Sequence, residues 1–117
     1  MMVVVFRARR TAAGDGEDYT RWLLRMSELA REMPGYISHK GYVADDGSRL
    51  TLFEWESADT LQAWAAHPEH VHVKRLGRQR FYTEYHLQVC ELVRESRFTG
   101  DPEHHSDGSA GRSPDEQ

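Results

Sequence analysis

Residues 36–64 read YISHKGYVADDGSRLTLFEWESADTLQAW, and this stretch decides the fold. Tyr36–Ala44 and Arg49–Glu56 are two strand-like runs separated by Asp45-Asp46-Gly47-Ser48, residue types that favour tight turns, so they pair as a hairpin. Ser57 follows at once as a helix N-cap, with Asp59 in the first turn and Leu61, Trp64 and Ala65 forming a short apolar stripe. A hairpin that runs straight into a capped helix is one half of an α+β plan.

The other elements lie on either side. Upstream, Met2–Arg9 begins with a β-branched run and then alternates, with Phe6 and Ala8 set between Arg7 and Arg9, which predicts a strand whose first half is buried on both faces. Gly14, Asp15 and Gly16 end it, and Asp15 is the expected N-cap of the next element. Tyr19, Trp22, Leu23, Met26, Leu29, Ala30 and Met33 recur at spacings of three and four, the apolar stripe of an amphipathic helix that Pro34-Gly35 terminates. Downstream, Pro68 interrupts the second helix, so His67 caps a further helical segment running towards Phe81 and Tyr82. Tyr85, Leu87, Val89, Glu91 and Val93 alternate as a last strand.

The order strand, helix, strand, strand, helix pair, strand predicts a ferredoxin-like βαββαβ fold, a four-stranded antiparallel sheet with helices on one face. The second face of the sheet reads as mixed rather than polar, with Ile37, Gly41, Val43 and Cys90 alternating with Tyr42 and Leu92. Monomers avoid exposing an apolar patch of that size, so a homodimer placing sheet against sheet is expected, with Val43 facing the partner.

Charge divides the chain. Residues 1–98 form one neutral domain, whereas 99–117 carry Asp101, Glu103, Asp107, Asp115 and Glu116 against Arg112 alone. That segment has no large apolar residue and is expected to be a disordered acidic tail, His104 and His105 included. A neutral body argues against nucleic acid as a partner. No apolar run is long enough to span a bilayer, and the basic residues of MMVVVFRARR follow its apolar run, the reverse of a signal peptide. The single cysteine, Cys90, allows no intrachain disulfide and fits a cytoplasmic protein; on an alternating strand with no base in view it reads as a small hydrophobe.

Residues 50–92, LTLFEWESADTLQAWAAHPEHVHVKRLGRQRFYTEYHLQVCEL, resemble the antibiotic biosynthesis monooxygenase family in the strand ending in Trp, the Ser-capped helix, the helical Trp and the His-Pro bend. The resemblance extends over nearly all of residues 2–95. It implies a dimeric α+β barrel, a pocket between each sheet and its helices, and oxygenation of a small aromatic or quinol-like molecule without metal or flavin. The heme-degrading branch of the family uses a first-strand Asn, a helical Trp and a His some ten residues beyond it. Trp64 matches the Trp, but position 74 is Lys74 and the chain contains no asparagine, so heme degradation is not expected. The anthrone oxygenases use an Asn with Trp and Tyr, and there too only Trp64 carries over, with His70 near the place of the tyrosine.

Within this frame the histidines of WAAHPEHVHVKR, residues 64–75, are the candidate chemistry. Zinc needs three or four converging ligands. His67 and His70 can share a helical face with Glu69 beside them, but His72 lies about 200° around the helix from His70, so no metal site is expected. Imidazole titrates near neutrality unaided. His70 is the candidate proton acceptor, with Trp64 as a flat aromatic wall and His67 as a second candidate that also has capping to do. Trp22, Tyr82 and Arg80 are the candidate pocket residues; the cluster Lys74, Arg75, Arg78 and Arg80 reads first as a solvated helix face, with Arg80 holding an anionic oxygen at the rim as the rival reading. His39 and His86, on strands, read as satisfied interface or barrel residues. The same fold and histidine would also suit a cyclase or isomerase, and a dimer that only binds a ligand is the third possibility.

Overall fold

A computed structural model describes residues 1–102. The element order is β1 (Met2–Arg10), α1 (Glu17–Glu32), β2 (Tyr36–Val43), β3 (Arg49–Trp55), α2 (Ala58–Ala65), α3 (Pro68–Leu76) and β4 (Tyr82–Glu91), with a single π-helical turn over Gly77–Phe81 between α3 and β4. The strands form one antiparallel sheet in the order β2-β3-β1-β4, the ferredoxin-like arrangement. The expected acidic tail lies, beyond its first four residues, outside the described residues.

Pairing across the sheet sorts the side chains. Val4 sits opposite Phe53 on one side and Val89 on the other, so these three share the helix-covered face. Val5 sits opposite Leu52 and Gln88, on the open face. The core joins both layers: Trp55 of β3, Ala30 of α1 and Trp64 of α2 are buried together, with Met26, Leu29, Met33 and Leu61 packed around them.

Three details depart from the sequence reading. Asp15 does not cap α1: Thr11 Oγ1 accepts from the Gly14 amide, a short 3-10 turn forms over Ala13–Asp15, and α1 starts behind Gly16 with no side-chain cap. Asp15 instead lies beside the guanidinium groups of Arg10 and Arg49. The last strand begins at Tyr82 because the π-helical turn ends at the buried Phe81, whose carbonyl accepts from the Thr11 amide at 2.9 Å.

The third departure concerns β2. Tyr36 pairs with Trp55 and Ser38 with Glu54, so Ile37 is one residue extra on β2, a β-bulge. Beyond it His39, Gly41 and Val43 pair with Phe53, Thr51 and Arg49, which places Val43 on the helix side rather than on the open face. Cys90, paired with Val3, which on its other side pairs with Glu54, belongs to the open face with Val5, Leu50, Leu52 and Tyr42.

Candidate functional site

A cavity of about 450 Å³ lies between the helices and the sheet. One wall is built from the α2–α3 bend. Ser57 Oγ accepts from the Thr60 amide and Thr60 Oγ1 accepts from the Ser57 amide, each at 3.2 Å, a reciprocal capping box with Thr in place of the usual Glu. Gly35, at φ +82°, makes room for this cap: a Cβ there would stand 2.4 Å from that of Thr60. The start of α2 being fixed, Trp64 falls two turns later on its inner face and is buried.

His67 caps α3: its Nδ1 accepts from the Glu69 amide at 3.1 Å, ahead of Pro68 at the first helical position. One turn on, the His70 ring lies flat on the Trp64 indole, centroids 4.4 Å apart and planes 13° from parallel, and Trp64 stacks in turn near Trp55. His70 Nδ1 is 3.1 Å from the Trp64 carbonyl. A carbonyl only accepts, so Nδ1 carries the proton and Nε2 the lone pair. Burial, reinforced by the charges of Lys74 and His67 and partly opposed by that hydrogen bond, lowers the His70 pKa to about 4. His70 is therefore a neutral imidazole in a fixed tautomer. Arg25 of α1 clamps the same bend from outside, its Nε and Nη2 meeting the two Glu69 carboxylate oxygens at 3.0 and 2.9 Å.

The opposite wall comes from α1, the sheet and the π-helical turn. Trp22 lines the cavity and its ring centroid lies 5.4 Å from that of His72. Tyr82 lines it beside Phe6 and Tyr85, with its hydroxyl 3.2 Å from that of Tyr19. Burial first, and the bond to Tyr19 second, hold the Tyr82 phenol protonated. Gly77 lets this ring approach, since a Cβ there would come within 2.9 Å of it.

The candidates thus divide. Trp22, Trp64, His70 and Tyr82 meet around one cavity, while His67 and Arg80 are not among its lining residues. His67 is engaged as a cap. Arg80, instead of waiting at the rim for an anion, reaches Asp18 at 3.3 Å and lies over Phe81, because the π-helical turn carries it to the outside.

Ser27, His39 and Lys74 line the cavity as well, although none of them is a pocket candidate from sequence. Lys74, taken from sequence as one of a solvated cluster, folds back to donate to the Ala65 carbonyl at 3.1 Å, at the C-terminal end of α2. Ser27 and His39 lie together at the α1–β2 side: Ser27 Oγ is 3.0 Å from His39 Nε2, and Tyr36 Oη is 2.7 Å from His39 Nδ1. Burial, with the Arg31 charge second, lowers the His39 pKa. Among the described residues no three His, Cys, Asp or Glu side chains gather as a metal-binding group, and no helix is long and apolar enough to cross a membrane.

Residues 1–76 match the sequence family described as antibiotic biosynthesis monooxygenase. The chain belongs to this family. A Bacillus subtilis member of the curated proteins, the uncharacterized YqjZ, is 32% identical over 74 residues, which span 63% of this chain and 65% of that protein. The monooxygenase-family fold recurs in solved structures. A putative antibiotic biosynthesis monooxygenase from Deinococcus radiodurans superposes with a TM-score of 0.72 at 13% identity, over 86% of this chain and all of that one. SnoaB, a cofactor-independent oxygenase from Streptomyces nogalater, does so with 0.66 at 16% identity, over 80% of this chain and 93% of its own. At these identities the likeness is one of fold.

Proposed function

We propose that this family member is an oxygenase that inserts oxygen from O2 into a small planar aromatic or quinol-like molecule, without metal or flavin. The observation that carries the reading is the cavity itself. Its volume of about 450 Å³ suits a ligand of two or three fused rings, and its lining is largely apolar, with Trp22, Trp64 and Tyr82 offering flat surfaces. An aromatic ligand that gives up an acidic proton becomes an electron-rich anion able to react with O2, and an apolar enclosure keeps water from reprotonating it. His70 contributes a hydrogen-bond acceptor at Nε2 on the stacked wall. With its pKa near 4 it is a weak base at neutral pH, and it serves to orient the ligand. Family membership and the oxygenase SnoaB among the structural neighbours support the reaction class.

The test is dissolved-oxygen uptake with anthrone and with a naphthoquinol, in the presence of a chelator and without flavin. Consumption matched by oxygenated product is expected. Turnover without oxygen uptake would replace the reading by an isomerase or cyclase, and ligand binding without turnover by a binding module.

The same reading includes a cytoplasmic homodimer formed through the open sheet face. Val3, Val5, Leu50 and Leu52 lie half-buried at its centre, flanked by the Arg7–Gln88 and Ser38–Glu54 hydrogen bonds. A stable interface covers about 800 Å² per partner, within reach of a four-stranded face. Light scattering should give two chain masses for the wild type and dissociation or unfolding for Val5→Arg. A well-folded wild-type species of one chain mass ends the dimer proposal.

A further inference from the structure

The α1–β2 side of the cavity holds a hydrogen-bonded chain that the proposed oxygenation has not yet used. Ser27 and His39 line the cavity, and Tyr36 stands behind His39, held edge-on against Trp55 with ring centroids 5.7 Å apart. The His39 ring is kept in place by Phe53, centroids 5.8 Å apart and planes 27° from parallel. Both nitrogens of His39 face hydroxyl groups, and a hydroxyl can donate or accept. Two arrangements of the same heavy atoms are therefore available. In one, Tyr36 donates to Nδ1 and Nε2–H donates to Ser27, leaving the Ser27 hydroxyl proton free for a ligand oxygen. In the other, Ser27 donates to Nε2 and Nδ1–H donates to Tyr36, leaving a Ser27 lone pair free for a ligand proton. His70 has no such choice, because its Nδ1 proton is held on a backbone carbonyl.

We propose that Ser27, His39 and Tyr36 form a proton relay that takes the acidic proton of a hydroxyl- or keto-bearing aromatic ligand, with Ser27 as the group that touches the ligand and His39 as the base. The inference rests on the reading of the cavity as an aromatic-binding site and adds which residues move the proton. In the step, a ligand C–H or O–H bond breaks and its electron pair stays on the ligand as an enolate or phenolate. The proton passes to Ser27 Oγ as the Ser27 proton passes to His39 Nε2. The resulting imidazolium keeps its Nδ1–H on Tyr36 Oη, and the ligand anion beside it compensates its charge in a site where burial and Arg31 disfavour a lone cation. No oxidant is consumed, so the step can be observed apart from oxygenation.

The experiment uses anthrone in D2O buffer with oxygen excluded, following exchange of its methylene protons by NMR, while quenching of tryptophan fluorescence measures binding independently. The wild type should bind anthrone and speed exchange well above buffer. Ser27→Ala and His39→Gln should each lower the exchange rate of bound anthrone about 100-fold, the scale of general-base catalysis, with binding kept within about threefold. Tyr36→Phe should lower it less. Exchange rates in Ser27→Ala and His39→Gln close to that of the wild type overturn the relay, even if the melting temperature drops, because a mere tether between α1 and β2 would lower stability alone. Wild-type binding without exchange overturns it equally. If His39→Gln does not fold, by circular dichroism, Ser27→Ala decides. Absence of anthrone binding would remove the aromatic-site reading and the relay with it, and the separate binding measurement identifies that case.

Discussion

The two ends of the cavity each offer an imidazole, and the two are held in opposite ways. His70 is pressed against Trp64 with one nitrogen on a main-chain carbonyl, so its tautomer is dictated by the backbone. His39 lies between two hydroxyls, so its tautomer follows whatever proton arrangement the rest of the site requires. The first is a rigid surface with an acceptor in it, and the second is a conduit. The comparison teaches that a histidine's role here is set less by its burial, which both share in part, than by whether its hydrogen-bond partners can reverse direction.

The rigid end should give way hardest. Trp64→Ala removes an indole stacked between Trp55 and His70, and the cavity left behind should lower unfolding free energy by about 3–5 kcal/mol in urea denaturation. The corresponding cut at the conduit end, Tyr36→Phe, should remove one hydrogen bond and cost about 1 kcal/mol in the same assay. A ratio near one between the two losses would break the distinction.

Acid sharpens it next. The His70 pKa in the folded chain is about 4, below the ordinary 6.5, so between those values the unfolded chain binds the proton and the folded chain does not. Stability is therefore complete above about pH 6.5 and falls as pH drops towards 4, by up to about 3 kcal/mol from this residue. The lowered His39 pKa adds a decline of the same sign. Melting curves from pH 7.5 to 4.5 should show this slope, and His70→Phe should flatten most of it, leaving the part that belongs to His39. An unchanged slope in that variant would mean that His70 is not the buried neutral group.

The smallest effect distinguishes a cap from a pocket residue. His67→Ala should cost about 1 kcal/mol of stability through loss of the α3 cap, while anthrone binding stays within about twofold. A large loss of binding in a stably folded variant would return His67 to the cavity.

The rigid end was legible in the sequence because its determinants are local. Ser57 fixes where α2 begins, Trp64 follows at helical spacing, and His67-Pro68 announces the next helix. The conduit was not, for two reasons. Ser27 and His39 come from different elements, and a serine within an apolar stripe carries no mark of what it will meet. In addition, alternation along YISHKGYV gives the wrong face when one residue is extra, so that Val43 reads as open-side and His39 as an interface or barrel residue. The outward position of Arg80 has a related cause: a π-helical turn shifts which residues point inward, and no residue pattern in GRQRF signals it.

The bulge at Ile37 has a bearing on how this chain can vary in length. In a regular strand, positions separated by an odd count look in opposite directions, and Tyr36 and His39 are three apart. Their hydroxyl–imidazole bond exists because the extra residue restores even parity between them. A deletion of Ile37 would remove the bulge and leave Tyr36 and His39 on one face, two apart in a regular strand, whereas pairing Ile37 into the ladder without a bulge would turn Tyr36 to the far side of the sheet. The loop at Asp45–Ser48 is open to insertions, whereas a residue added between Tyr36 and His39 must itself be bulged out of the ladder to keep the pair together. Two relatives with identical residues here, one bulged at this position and the other paired regularly, would not share this chemistry.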